Sequence, residues 1–176
     1  METLTLFDEG TEVKFRWQDL VHFHGSRSIC GLAVSFKAMQ CVWLSLFENF
    51  YPERDSLVIE AGFAGPGIVD GFELVTRAIS RERFSKISIQ PGNLVAEASN
   101  GAYYFAFSSG TRRIALGLKP EVVPLSFIEG RRKLNVTDHT CADRQNFKRE
   151  QKVFYKLILD SHPLDAFNVL ESKNNG

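Results

Sequence analysis

From Leu32 onward, large apolar residues recur in steps of three and four: Leu32, Phe36, Met39, Trp43, Leu46 or Phe47, and Phe50. That is the α-helical period, sustained for about five turns, and it predicts a central core helix. The helix is expected to start near Ser26 or Ser28, either of which can cap its free N–H groups, and to be stopped by Pro52. Ahead of it, Trp17 to His24 reads as a short helix ending at Gly25, the residue best suited to a left-handed cap. Residues Met1 to Phe15 are mixed and predict an extended arm. Behind the core helix, a strand is expected from Leu57 to Ala61, followed by a glycine-rich turn. A helix over Gly67 to Ile79 then places Ile68, Phe72, Val75 and Ile79 on one face.

From Phe84 the period changes to two. "KISIQ", "NLVAEAS", "AYYFAFS" and "RRIALGL" are four short strand candidates, separated by "PG", "NG" and "SG". Turns at such close spacing predict antiparallel hairpins, because parallel strands need a long crossover. After Pro120 and Pro124 an irregular, basic region is expected through Cys141. A helix then runs from about Asp143 to Asp160, with Phe147, Phe154, Leu157 and Ile158 inward, and "SHP" ends it. "AFNVLE" predicts a last strand, and the polar tail "SKNNG" a frayed end. Helices first and hairpin strands afterwards give an α+β fold: a long apolar core helix and flanking helices on an antiparallel sheet of about four to six strands. No repeat or linker interrupts residues 1–176, which predicts a single domain.

Composition narrows the function classes. With 44% apolar and 24% charged residues in a chain of 176, a globular domain with a proper core is expected. Its 21 basic residues balance 21 acidic ones, which argues against a nucleic-acid or anionic-membrane partner. The cluster Arg131, Arg132 and Lys133 reads as a solvated loop. The apolar stretch Ile29 to Phe50 contains Lys37, Gln40 and Glu48, so it reads as a buried helix, not a membrane span. No basic leader with an apolar run opens the sequence, and Cys30, Cys41 and Cys141 form no CxxC pair. Together these predict a cytoplasmic protein without a disulfide framework.

The chemistry-bearing residues gather in "FHGSRSICGL", Phe23 to Leu32. His22, His24 and Cys30, with Asp70 at the next helix start, are residue types that ligate zinc or another divalent transition metal. Such a site needs three or four ligands at about 2.0–2.3 Å. The alternative is that His24 packs and caps locally while Cys30 is a small apolar side chain. Ser26, Arg27 and Ser28 offer hydroxyls, a guanidinium and helix N–H groups to a small anion; the alternative is a capped helix start whose Arg27 meets a surface acid. Cys30 assisted by His24 is a third possibility, since a helix start and an imidazole both favour a thiolate. Gly62, Gly65, Gly67 and Gly71 do not fit GxGxxG, which argues against dinucleotide binding; close packing of the helix against its neighbour explains the small residues better. The aromatics of "AYYFAF" are expected in the core or in a homodimer interface.

The order of these motifs resembles the formylmethanofuran dehydrogenase FmdE family. "FHGSRSICGL" is similar to that family's Phe-His-Gly-His-x-Cys-Pro-Gly-Leu type motif, through Phe23, His24, Gly25, Gly31 and Leu32. "VIEAGFAGPGIVDGFELVT" resembles its strand ending in Glu and its Cys-x-x-Asp-x-x-Gln helix, with Glu60, Asp70, Glu73 and Thr76 in corresponding places. "GNLVAEASNGAYYFAF", "RRIALGLKPE" and "HPLDAFNVLE" resemble later segments, so that the likeness covers roughly residues 15 to 171. The departures fall on the chemistry. Ser26 stands for the second histidine, Cys30 lies out of register, Gly67 replaces the cysteine of Cys-x-x-Asp, and the lysine-bearing hairpin is altered. The cysteine-rich zinc segment that many members carry is not in this sequence. The resemblance implies the fold, a homodimer, and an accessory role beside molybdenum- or tungsten-dependent one-carbon oxidoreductases, with a metal or small anionic ligand near His24 and Asp70. Two rivals stand beside it: a small hydrolase or transferase using His24, Cys30 and Asp70, and a non-catalytic dimeric interaction module.

Overall fold

In the computed structural model, residues 3–47, 50–135 and 138–174 are described. The first elements are a hairpin of β1 (Thr3–Asp8) and β2 (Thr11–Arg16), then α1 (Trp17–His24) and α2 (Ile29–Leu46). The arm expected at the N-terminus is therefore a two-stranded hairpin, with Leu4 and Leu6 buried and Gly10 at φ +77° in its turn. It is fastened to α2 where Trp43 Nε1–H donates to Thr5 O at 2.5 Å.

β3 (Val58–Ala61), α3 (Pro66–Thr76) and β4 (Phe84–Lys86) come next, then the short pair β5 (Glu97–Ala98) and β6 (Gly101–Ala102). β7 (Tyr104–Ser109), β8 (Arg112–Leu118), α4 (Leu125–Leu134), α5 (Cys141–Asp160), α6 (Pro163–Ala166) and β9 (Phe167–Asn174) complete the chain. The five-stranded sheet runs in the order β4-β3-β7-β8-β9. All its pairings are antiparallel except β3 with β4, which α3 joins as a parallel crossover. The fold is α+β, with a long apolar helix on a mixed sheet and a second, smaller hairpin beside it.

α2 is the centre of the core. Leu32, Phe36, Met39, Trp43, Leu46 and Phe47 are buried, as their spacing requires, whereas Phe50 lies outside the helix and is 42% exposed. The expected end of the helix includes residues 48 and 49, which lie outside the described residues, as do residues 175 and 176 of the tail. α2 has the length and apolar composition of a bilayer span, yet 78% of it is buried in the protein, so its surface is taken up by the core. Lys37 is buried on α2 because its ammonium donates to Leu159 O and Ser161 O, both at 2.9 Å, at the end of α5; burial lowers its pKa. On the sheet side, Phe72 of α3 meets the rings of Phe105 and Phe107 edge-on at 5.5 and 5.4 Å.

Several boundaries differ from the sequence expectation. α3 stops at Thr76 because Arg77 turns left-handed, with φ +54°. "KISIQ" pairs only at its first residue, "NLVAEAS" contributes two strand residues, and the "irregular" basic region contains α4. Leu157 of α5 points outward and is 49% exposed. Of the tail, Ser172 to Asn174 continue β9.

Candidate functional site

Two helix starts meet at one place. Gly25 closes α1 with φ +79°, its N–H bonded to Val21 O at 2.8 Å, and the chain re-enters a helix at Ile29. α3 begins at Pro66, where the missing N–H costs nothing. Gly67 brings the two starts together: a Cβ there would lie 2.6 Å from Leu32 N and nearer still to Ser28 O. Only glycine fits, which gives the physical reason why no cysteine side chain projects from this position.

Neither start is capped by a side chain among the described residues, and neither has an acid in its first turn. Ser28, expected as a cap, occupies the N-cap position of α2 without capping it. Leu32 N–H bonds to Ser28 O at 3.3 Å, so the N–H groups of Ile29, Cys30 and Gly31 lie ahead of the helical ladder. Such donors and the helix dipole favour an anion.

A cleft of about 720 Å³ opens beside these starts. His24, Ser28, Cys30, Gly31, Gly65 and Gly67 form one side of it. α4 contributes Phe127, Arg131 and Leu134, and α5 contributes Arg144, Lys148 and Gln151, each set at the helical spacing i, i+4, i+7. With Arg27 there are four cationic side chains around the cleft, and among the described lining residues none is acidic. A cleft lined by one sign of charge concentrates ligands of the other sign. Phe63 and Tyr103, edge to face at 5.4 Å, add aromatic wall.

His24 is the most constrained polar group here. Its Nδ1 lies 2.6 Å from Asp70 Oδ2, and its side chain is only 5% exposed. Nε2 is buried and, among the described residues, meets no hydrogen-bond partner. The α1 turn thus joins the α3 start through a His–carboxylate pair, in which an ionised Asp70 can only accept.

The other expected site residues divide. Arg27 and Ser28 line the cleft; Ser26 is exposed and is not among its lining residues. His22, two residues before His24 on α1, is turned to a different face of that helix and is exposed. Cys30 is buried and its S–H donates to Gln151 O at 3.2 Å. Burial pushes this thiol up to about 12, which leaves roughly one thiolate in 10⁵ at pH 7. That burial argues against Cys30 as the nucleophile of a hydrolase or transferase. Among the described residues no three His, Cys, Asp or Glu side chains form a group that holds an ion. The donor set His22, His24, Cys30 and Asp70 therefore does not fit a zinc centre, which needs three or four converging ligands.

Sequence reasoning misses Arg131, Arg144, Lys148, Phe63 and Tyr103. Arg131, expected on a solvated loop, stands on the last turn of α4, while its neighbour Arg132 holds Glu97 at 2.9 and 3.0 Å. The signal available is the repeat of Arg144, Lys148 and Gln151 on one face of an expected helix. No protein-family model matches the chain, and no curated protein matches it.

Proposed function

We propose that this chain is an FmdE-like accessory protein, working beside molybdenum- or tungsten-dependent one-carbon oxidoreductases, and that its own task is to bind a small organic anion. The observation that carries the binding role is the convergence on one cleft of two uncapped helix starts and four cationic side chains, with His24 in its wall. Each feature alone is commonplace; their meeting without an acid in the lining is what favours an anion. The accessory role rests on the order of motifs across the chain, and the metal role of the resembled motif is not carried over. Phe63, Tyr103, Phe127 and Phe147 favour a ligand with an apolar or aromatic body over an inorganic ion.

Calorimetric titration with phenylacetate tests the binding role. The expected result is saturable binding that weakens with added salt, and that falls at least tenfold in the folded double variant Arg131→Glu, Arg144→Glu. Absence of saturable binding, or binding indifferent to the charge reversal, overturns it. The resemblance also implies pairing of two copies, for which light scattering should give about twice 19.9 kDa.

A further inference from the structure

We propose that the ligand of this cleft is an organic diphosphate, its two phosphoryl groups held in tandem between the α2 start and a row of cations on α4 and α5. The proposal rests on the anion-binding role above and narrows its ligand. Arg27, Arg131, Arg144 and Lys148 line the cleft, and none of the four has an acid within ion-pair distance among the described residues. Arg144 donates to His139 Nε2 at 3.4 Å, a contact that leaves its charge uncompensated. Two of the cations also stand where a helix disfavours positive charge. Arg27 lies just ahead of the N-cap of α2, and Arg144 ends the first turn of α5. Neither placement stabilises its helix, and a single carboxylate would offset only one of the four charges.

Contacts between the helices place these charges relative to one another. Cys30, on the first turn of α2, donates its S–H to Gln151 O, so the α2 start abuts α5 at that residue. Lys148 and Arg144 precede Gln151 on one face of α5, about 4.5 and about 10 Å away along the helix axis. α4 supplies the facing charge. Its Gly130 packs on Phe147, where an added Cβ would lie 3.1 Å from the ring, so Arg131 stands near the interval between Arg144 and Lys148. Positive charge thus runs outward from the α2 start for about 10 Å, farther than the oxygens of one carboxylate or one phosphate span. Two linked phosphoryl groups match that run. The first meets the N–H groups of Cys30 and Gly31 together with Arg27 and Lys148, and the second meets Arg131 and Arg144. Guanidinium groups pair with phosphate oxygens two at a time, which suits the three arginines to this chemistry. The partly buried Phe63 ring, packed over Gly65 at the start of α3, is left for the organic body.

The test compares adenosine monophosphate with adenosine diphosphate by calorimetry, in buffer free of divalent cations, with phenylacetate run alongside. The two nucleotides differ by one phosphoryl group. The diphosphate is expected to bind the native protein at least tenfold more tightly, the effect of one further charge-assisted contact. Arg144→Gln removes the outermost charge at an exposed position and keeps good helix propensity, so the variant should fold. In it the ratio of the two affinities should fall below about three. Lys156→Gln, also exposed on α5 but outside the cleft lining, should keep the native ratio. Binding of phenylacetate with no preference for the diphosphate over the monophosphate overturns the inference and leaves the anion role standing. Binding of none of the three overturns both. A preference for the diphosphate that survives in Arg144→Gln, or that is lost equally in Lys156→Gln, overturns the tandem site.

Discussion

Replacing Gly67 with alanine puts one methyl group where α2 and α3 touch. The new Cβ would lie 2.6 Å from Leu32 N, 3.1 Å from Gly31 C and nearer still to Ser28 O, against an ordinary contact of 3.4–4 Å. All three atoms are backbone, so no rotamer change relieves the clash, and α3 must retreat from α2 by about 1 Å. A gap of that size forfeits a quarter to a half of the local dispersion attraction around Leu32, Ile68 and Phe72. Overpacking of this kind costs about 3 kcal/mol, at the upper end of the usual range because backbone must move. Alanine's better helix propensity offsets up to about 1 kcal/mol. The net loss is about 2 kcal/mol, or a fall in Tm of about 4–8 °C for a chain of this size. Urea unfolding followed by circular dichroism measures it, with Gly92→Ala as control, because a Cβ at Gly92 meets nothing within 4 Å. Gly67→Ala as stable as the native protein, within about 0.5 kcal/mol, would refute the close apposition of the two helix starts.

Other outcomes follow from the same contacts. Phe72→Ala should cost about 3–5 kcal/mol in urea unfolding, since Phe72 is fully buried among Phe84, Phe105 and Phe107. Thr140→Ala should cost about 1 kcal/mol by the same assay, because Thr140 Oγ1 accepts from Asp143 N–H at 3.1 Å and caps α5. Under native conditions iodoacetamide should modify the exposed Cys141 and spare Cys30, whose thiol is buried and raised to about 12; equal rates would contradict the placement of Cys30.

The elements whose own residues repeat a clear period are the legible ones. α1 runs over the expected residues because Gly25 stops it, β8 matches "RRIALGL", and the inward face of α2 follows its steps of three and four. α4 stays hidden because its sequence combines a preceding Pro124, an internal Gly130 and three consecutive cations, which together read as a loop. Its helical face, Phe127, Arg131 and Leu134, mixes apolar with charged side chains because it borders a cleft. The parallel β3–β4 pair escapes because "KISIQ" alternates while only its lysine pairs; the partner strand begins two residues earlier, at Phe84. His24 and Asp70 are legible as two members of a larger ligand set. Gly67 and Gly71 are legible as close packing of α3 against a neighbouring helix; what the sequence does not display is that Gly67 meets the backbone at the start of α2, which leaves no room for a further side chain at that position.

Whether the two helix starts form an anion site is decided by an amide NMR titration with phenylacetate. The backbone signals of Cys30, Gly31 and Gly67 should shift and saturate together with those of Arg131 and Lys148, and the His24 ring signals should move with them. Saturable shifts confined to another surface, or no shift at the α2 and α3 starts, would contradict the site.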